Sequence, residues 1–195
     1  GITRLDLSRL ADAGHLTRLA HGVYKDSGAP GRQFENLQAA WLSTDPKLVS
    51  ARRIGQQSTP IVIAGASATR LHEIGDLWAE RHEFVTPQRR QSQRAEIRYR
   101  QRALDPRDVT LVDGLPVMTI ERTLADLIEE ATDLSLVADA LRDAALKRKL
   151  DLNRLRDLLN PLASRNGFKR HDGGALLNHL LSLAGLDPQS IANRL

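Results

Sequence analysis

The stretch TRLDLSRLADAGHLTRLAHGVYK, residues 3–25, decides the fold of the first part of the chain. Thr3 and Asp6 have the spacing of a capping box, in which two side chains satisfy the backbone donors at the start of a helix. Gly14 suits the left-handed residue that ends a helix. A short amphipathic helix is therefore predicted from Arg4 to Ala13.

The residues after this helix alternate between apolar and polar side chains, as short strands do. His15–Ala20 and Val23–Lys25 are predicted strands, and His21-Gly22 is the predicted turn of a hairpin between them. A helix followed by a hairpin is the second half of a winged helix-turn-helix, a module that binds DNA. The glycine- and proline-rich residues Ser27–Gly31 are predicted to be the linker that ends this module.

The rest of the chain, residues 31–195, is predicted to be a second domain that is mixed α/β to about residue 118 and helical over 119–195. Hydrophobic periodicity predicts helices at Gln33–Leu42, Lys47–Ile54 and Ala66–Ile74, a strand at Ile61–Ala64, and an antiparallel sheet of Glu83–Thr86, Ile97–Gln101 and Val109–Val112. The predicted fold class is α+β, with a partial winged helix in residues 1–30.

Composition excludes several classes of protein. The chain has no cysteine, which excludes disulfides and thiolate metal sites and favours the reducing cytoplasm. No apolar run reaches the roughly 18 residues of a membrane span, so no membrane partner is predicted.

The chain begins at Gly1 and its only methionine is Met118, so we expect the native start, and the first helices of the winged module, to precede this sequence.

Positive charge is concentrated in one segment. The whole chain has a net charge of +4, whereas residues 81–107 alone contain eight arginines and three acidic residues. Arginine favours two-point contacts with phosphates or carboxylates. We interpret the segment as a surface for a polyanion or an acidic partner, with a solvated basic hairpin as the alternative. The candidate contact residues are Arg89, Arg90, Arg94, Arg98, Arg100 and Arg102.

No motif supports catalysis or cofactor binding. His72-Glu73 lacks the second histidine of a zinc protease motif, and the six histidines show no ligand spacing. Ser67 lies between a strand and a helix, where it is more simply a helix N-cap than a nucleophile. Three aspartates suit turns and caps better than a divalent metal: Asp105, Asp108 and Asp113. We therefore predict no catalytic residue, no metal and no cofactor.

Four segments of the chain, taken in order, are similar to one known family. They are GHLTRLAHGVY at 14–24, AGASATRLHEIG at 64–75, FVTP at 84–87 followed by arginines, and VTLVDGLPVMTIERTLADL at 109–127. Together they resemble the AbiE-type (AbiEi) antitoxins of bacterial toxin–antitoxin systems, over about residues 3–130. The resemblance implies a cytoplasmic antitoxin that represses its own operon by binding operator DNA and neutralises a nucleotidyltransferase toxin.

If the winged helix binds DNA, the N-terminal end of its helix enters the major groove and the wing grips phosphate or the minor groove. The DNA-binding candidates are therefore Arg4, Ser8 and Arg9 on the helix and Arg18, His21 and Lys25 on the wing. Winged regulators often bind inverted repeats in pairs, which predicts a homodimer on DNA. Two alternatives stay open: a stand-alone winged-helix transcriptional regulator, and a metal-dependent nuclease or hydrolase that uses His72, Glu73 and the aspartates.

Overall fold

The computed structural model describes residues 2–46, 60–130, 132–147 and 150–187. The helix predicted at Lys47–Ile54 lies outside these ranges. The chain divides into two compact units, Gly1–Ile61 and Val62–Leu195. Within the described ranges, no helix combines the length and the apolar character that crossing a bilayer would need.

The first unit contains a helix, a hairpin and a second helix. Their bounds are α1 Arg4–Asp12, β1 Leu16–Ala20, β2 Val23–Asp26 and α2 Glu35–Ser43. The two strands are antiparallel, which confirms the helix and hairpin predicted from residues 3–25. Both helices pack against β1. Because α2 packs there as well, the compact unit extends beyond the predicted linker Ser27–Gly31.

The second unit contains a mixed sheet of five strands in the order β5-β4-β3-β7-β6. Their bounds are β3 Val62–Ile63, β4 His82–Thr86, β5 Ile97–Gln101, β6 Val109–Val112 and β7 Leu115–Met118. The strands β3 and β7 are parallel, as are β4 and β5, whereas β3–β4 and β6–β7 are antiparallel.

The predicted strands exist, but their predicted pairing is wrong in two places. The neighbours β4 and β5 run parallel rather than antiparallel, since residues 87–96 carry the chain back to the starting edge. The strand β6 pairs with β7, a strand that the sequence pattern did not predict. The turn between β6 and β7 has positive φ at both Asp113 (49°) and Gly114 (73°), a geometry that matches the twist of a two-residue hairpin.

Helices complete the second unit. They are α3 Gly65–His72, α4 Ile120–Glu129, α5 Leu134–Lys147, α6 Leu152–Leu159 and α7 Gly173–Leu183, with a 3-10 segment at Asn160–Asn166. The helices α4 to α7 share one leucine-rich core, in which Leu124, Leu141, Leu155 and Leu176 are each at most 1% exposed. The helical region predicted after residue 119 is thus confirmed, and the protein is α+β.

Candidate nucleic-acid interface

The start of α1 is fixed by the predicted capping box. Asp6 N donates to Thr3 Oγ1 at 3.2 Å, and Thr3 N donates to Asp6 Oδ2 at 2.9 Å. The hydrogen bonds that the hydroxyl and the backbone of Thr3 donate lower the pKa of Asp6. The charged carboxylate then also interacts favourably with the positive end of the helix. This cap holds the first turns of α1, where Arg4 and Ser8 lie exposed.

The hairpin of β1 and β2 forms the wing. Its register pairs Leu16 with Asp26 and Arg18 with Tyr24. Gly22 at the tip has a left-handed φ of 70°, and a Cβ at this position would lie only 2.8 Å from the Cβ of Pro46. Glycine is therefore required at the tip both for the conformation of the turn and for the close approach of Pro46.

The helix α1 and the wing line an open groove of about 530 Å³. Four of the six predicted DNA-binding residues contribute to it, namely Arg4, Ser8, Arg18 and His21, together with Leu7, Gly22, Tyr24 and Pro46. No acidic residue is among these lining residues. Within the described part of the chain, the three basic side chains of the groove make no hydrogen bond or ion pair, so they are available to an external anion.

The other two predicted DNA contacts lie away from the groove. Lys25 Nζ is 2.7 Å from Glu35 Oε1 on α2, and only 20% of the lysine side chain is exposed. Its ammonium group also donates to Pro30 O at 3.4 Å. Lys25 therefore ties the wing to α2 instead of adding charge to the groove. Arg9 is exposed on the last turn of α1 and does not line the groove.

In the second unit, the buried side chain of Asp126 on α4 contacts three arginines. Its Oδ1 accepts hydrogen bonds from Arg122 Nε at 2.7 Å and from Arg102 Nη1. Its Oδ2 lies 2.7 Å from Arg100 Nη2, without a well-directed hydrogen bond. We call Asp126, Arg100, Arg102 and Arg122 the Asp126 cluster. A fully buried carboxylate is tolerated only with such partners, because its desolvation is costly.

Two arginines of the Asp126 cluster have pKa values that are shifted in opposite directions. Burial lowers the pKa of Arg122, and the attraction of Asp126 does not fully offset it. Burial also acts to lower the pKa of Arg102, but Asp126 and Glu129 outweigh it and the pKa is raised. Both guanidinium groups stay charged. The structure thus places Arg100 and Arg102 in an internal ion-pair network, not on the open basic surface that the sequence predicted.

Arg98 extends this network towards α3. Its Nη1 is 3.0 Å from Glu83 Oε1 and its Nη2 is 3.6 Å from Glu130 Oε1. The other oxygen of Glu83 accepts a hydrogen bond from Ala66 N at 2.9 Å, in the first turn of α3. Glu83 therefore caps this helix. Ser67, the cap predicted from the sequence, instead accepts a hydrogen bond from Glu83 N at 3.0 Å.

The substitution Glu83→Gln is expected to increase the free energy of unfolding more at about pH 7.5 than at about pH 4, because the pKa of the Glu83 carboxyl is raised. Burial is the main cause, and repulsion from Glu130 adds to it. A carboxyl whose folded pKa exceeds its unfolded pKa costs stability that grows as the pH rises through the folded value, and glutamine has no such cost. Urea denaturation of both proteins at both pH values measures the difference. The same effect at the two pH values would contradict the expectation.

The three other arginines predicted to meet a partner lie in the connection between β4 and β5. Arg89 is exposed, whereas Arg90 and Arg94 are half-buried. They occupy residues 87–96, apart from the strand and the loop start that supply Arg98, Arg100 and Arg102 to the ion-pair network. The six predicted residues therefore lie in two places: Arg98, Arg100 and Arg102 belong to the ion-pair network, and the other three belong to the connection between β4 and β5.

Three of the residues considered for catalysis make contacts within the fold. His72 is buried, and its Nε2 lies 2.7 Å from Met118 O. Arg154 on α6 donates hydrogen bonds to both carboxylate oxygens of Asp108, at 2.8 and 2.7 Å. Asp105 caps the 3-10 turn Pro106–Asp108. Across the described residues, no group of three or more histidines, aspartates or glutamates is arranged to hold a metal ion.

The sequence did not identify the acidic partners of these basic residues. Asp126 offered one signal, because it lies between the apolar residues Ala125 and Leu127 on an amphipathic helix, and a buried acid requires a cation. Glu35 offered none, since an acidic residue in the first turn of a helix is common without any partner. The pairs Lys25–Glu35 and Arg100–Asp126 follow from the fold.

No protein-family model matches this chain, and no curated protein sequence matches it significantly. Among solved structures, the chain is similar to the Rv2827c protein of Mycobacterium tuberculosis, with a TM-score of 0.56 and 17% sequence identity. The similarity covers 92% of this chain and 64% of that protein, so the chain spans less than two thirds of its length. At this identity the similarity shows a shared fold alone.

Proposed function

We propose that the protein is a transcription regulator of the antitoxin type, not an enzyme, and that its first unit holds operator DNA in the groove between α1 and the wing. The observation that carries the proposal is the convergence of Arg4, Arg18 and His21 on one groove whose lining residues include no acidic side chain. Contacts between basic side chains and phosphates supply much of the affinity of a protein for DNA.

In this proposal, each element of the groove has a separate role. Arg4 lies on the first turn of α1, where the positive end of the helix adds to its charge. Ser8 lies one turn further along the same groove wall, where its hydroxyl can donate to or accept from a base edge. Arg18 and His21, on the wing strand and its tip, are placed to contact the sugar-phosphate backbone.

The substitutions Arg4→Ala and Arg18→Ala should each weaken DNA binding and flatten its salt dependence. Each lost phosphate contact is expected to reduce the slope of log K against log salt by about 0.9. The probe is a labelled duplex of the DNA upstream of the protein's own reading frame, titrated by fluorescence anisotropy at several salt concentrations.

Arg32→Ala is the matched control for these two variants. Arg32 is exposed in the same unit and carries the same charge, but it does not line the groove. Unchanged slopes for Arg4→Ala and Arg18→Ala, or an equal change for Arg32→Ala, would refute the groove as the DNA site. Arg9→Ala, measured alongside, decides whether the last turn of α1 also reaches the duplex.

The antitoxin part of the proposal draws on the four sequence segments that resemble the AbiE-type family. According to this proposal, the protein acts in the cytoplasm as a homodimer on its own operator and also neutralises a nucleotidyltransferase toxin. Arg89, Arg90 and Arg94 are the proposed toxin contacts, because they lie in the connection between β4 and β5, outside the network around Asp126. Co-expression with a nucleotidyltransferase encoded beside it should restore cell growth. Failure of rescue together with intact operator binding would leave a stand-alone regulator.

A further inference from the structure

A turn in the second unit carries basic side chains that the sequence did not single out. Arg165 lies near the end of the 3-10 segment, and Lys169, Arg170 and His171 follow in the connection to α7. All four are exposed. No acidic residue occurs from 165 to 171, and none of the four side chains has a hydrogen bond or ion pair in the part of the chain that the structure describes. We call residues 165–171 the basic turn.

An aromatic side chain anchors the middle of the basic turn. Gly167, with a φ of 83°, ends the 3-10 segment, and Phe168 N donates to Ala163 O at 3.1 Å. The Phe168 ring packs against the leucine-rich core, with its centroid 5.5 Å from that of His179 on α7. The chain on either side of Phe168 is therefore held at the surface in a defined position.

The second half of the basic turn is a tight turn of its own. Asp172 N donates to Lys169 O at 3.1 Å, which puts Arg170 and His171 at the corner. His171 has a φ of 61°, a left-handed conformation that is strained for a residue with a Cβ. Asp172, the last residue of this tight turn, caps α7, and its carboxylate accepts a hydrogen bond from Ala175 N at 2.9 Å.

Two other exposed arginines of this unit, in contrast, are each paired with a neighbouring acid. Arg107 pairs with Asp105 at 2.7 Å, and Arg156 pairs with Asp157 at 3.2 Å. The basic turn differs because none of its four basic side chains pairs with an acid in the part of the chain that the structure describes. Such a surface holds its full charge for an anion from outside the protein.

The chemistry of the basic turn fits a nucleic acid better than a protein. Protein interfaces are rich in aromatic and apolar side chains at their centre and poor in lysine. The one large apolar side chain here, Phe168, packs into the core. Arginine, lysine and helix N-termini are the usual contacts of phosphate groups. We propose that the basic turn binds the phosphate backbone of a nucleic acid, independently of base sequence and of the groove in the first unit.

The test compares two double variants of the same charge. Lys169→Ala with Arg170→Ala removes two cations of the basic turn, and Arg107→Ala with Arg156→Ala removes two exposed arginines that already have acidic partners. The probe is a labelled DNA duplex of random sequence. For the first variant, we expect the slope of log K against log salt to be smaller by about 1.8 than that of the unmodified protein. Raising the salt from 50 to 200 mM should then weaken its binding about 12-fold less than it weakens the binding of the unmodified protein. For the second variant, we expect the slope of the unmodified protein.

Two results would overturn the proposal. Equal changes in both double variants would mean that only the net charge matters. An unchanged slope for Lys169→Ala with Arg170→Ala would exclude the nucleic acid and leave an acidic protein as the partner of the turn. Circular dichroism of both variants verifies folding, and the Arg4→Ala variant on the same random duplex measures the contribution of the groove separately.

Discussion

Asp126→Asn is expected to lower the free energy of unfolding by about 3–5 kcal/mol. Asparagine keeps the shape of the side chain but removes the charge that holds Arg100, Arg102 and Arg122 together. Three partly buried guanidinium groups would then face one another around a neutral amide. The cost is large because the charges left behind remain desolvated, and that penalty exceeds the value of the lost contacts.

Urea denaturation followed by circular dichroism measures this loss, and Asp139→Asn is the control. Asp139 lies on the exposed face of α5 and pairs with Arg142 at 2.9 Å, with 52% of its side chain exposed. Exposed pairs of this kind contribute at most about 1 kcal/mol. Equal losses in the two variants would show that the Asp126 cluster does not anchor the fold electrostatically.

Gly173→Ala is expected to destabilise the protein by about 2–3 kcal/mol, the upper part of the range for overpacked interiors. Gly173 is the first residue of α7, and a Cβ there would lie 2.3 Å from Arg156 O and 2.6 Å from Asn160 N. Both atoms belong to backbone, so α6 and α7 must move apart to admit the methyl group. The expected sign is notable because alanine normally favours a helix over glycine by about 1 kcal/mol.

The adjacent Gly174 gives a control one residue away. A Cβ at Gly174 would have as its nearest neighbour Asp172 Oδ1, at 3.7 Å, which is an ordinary contact. Gly174→Ala should therefore be neutral or stabilising by up to about 1 kcal/mol. Thermal unfolding of the two variants should give shifts in Tm that differ clearly, with Gly173→Ala the lower. If Gly173→Ala melted at or above the temperature of Gly174→Ala, the close approach of α6 and α7 would be disproved.

Local signals account for what the sequence predicted of the fold. The capping box of Thr3 and Asp6, the glycine at the wing tip and the alternation in Ile97–Gln101 each act within a few residues, and the elements they predict have nearly the observed bounds. The direction in which β4 and β5 pair depends on the path of residues 87–96, for which no local pattern exists. The strand β7 was missed because Pro116 interrupts a run of only four residues.

At the candidate site too, the sequence shows contacts between nearby residues but not contacts between distant elements. Arg4 and Ser8 share a groove wall because four residues make about one turn of a helix, which a sequence shows directly. Counting charges along the chain assigns Arg100 to a surface, yet its acidic partner Asp126 is 26 residues away and belongs to another element. The basic turn was overlooked for the converse reason, since acidic residues elsewhere in the chain cancel its charge when all residues outside 81–107 are summed together.

The arginines of β5 also affect how the protein behaves at high concentration. An edge strand presents unpaired backbone groups that can accept a strand from another molecule, and charged side chains at the edge oppose this. The strand β5 is one edge of the sheet, and it carries Arg98 and Arg100. The other edge, β6, exposes Thr110 and Leu111 and has only four residues. Charge protects one edge of the sheet against aggregation, and shortness protects the other.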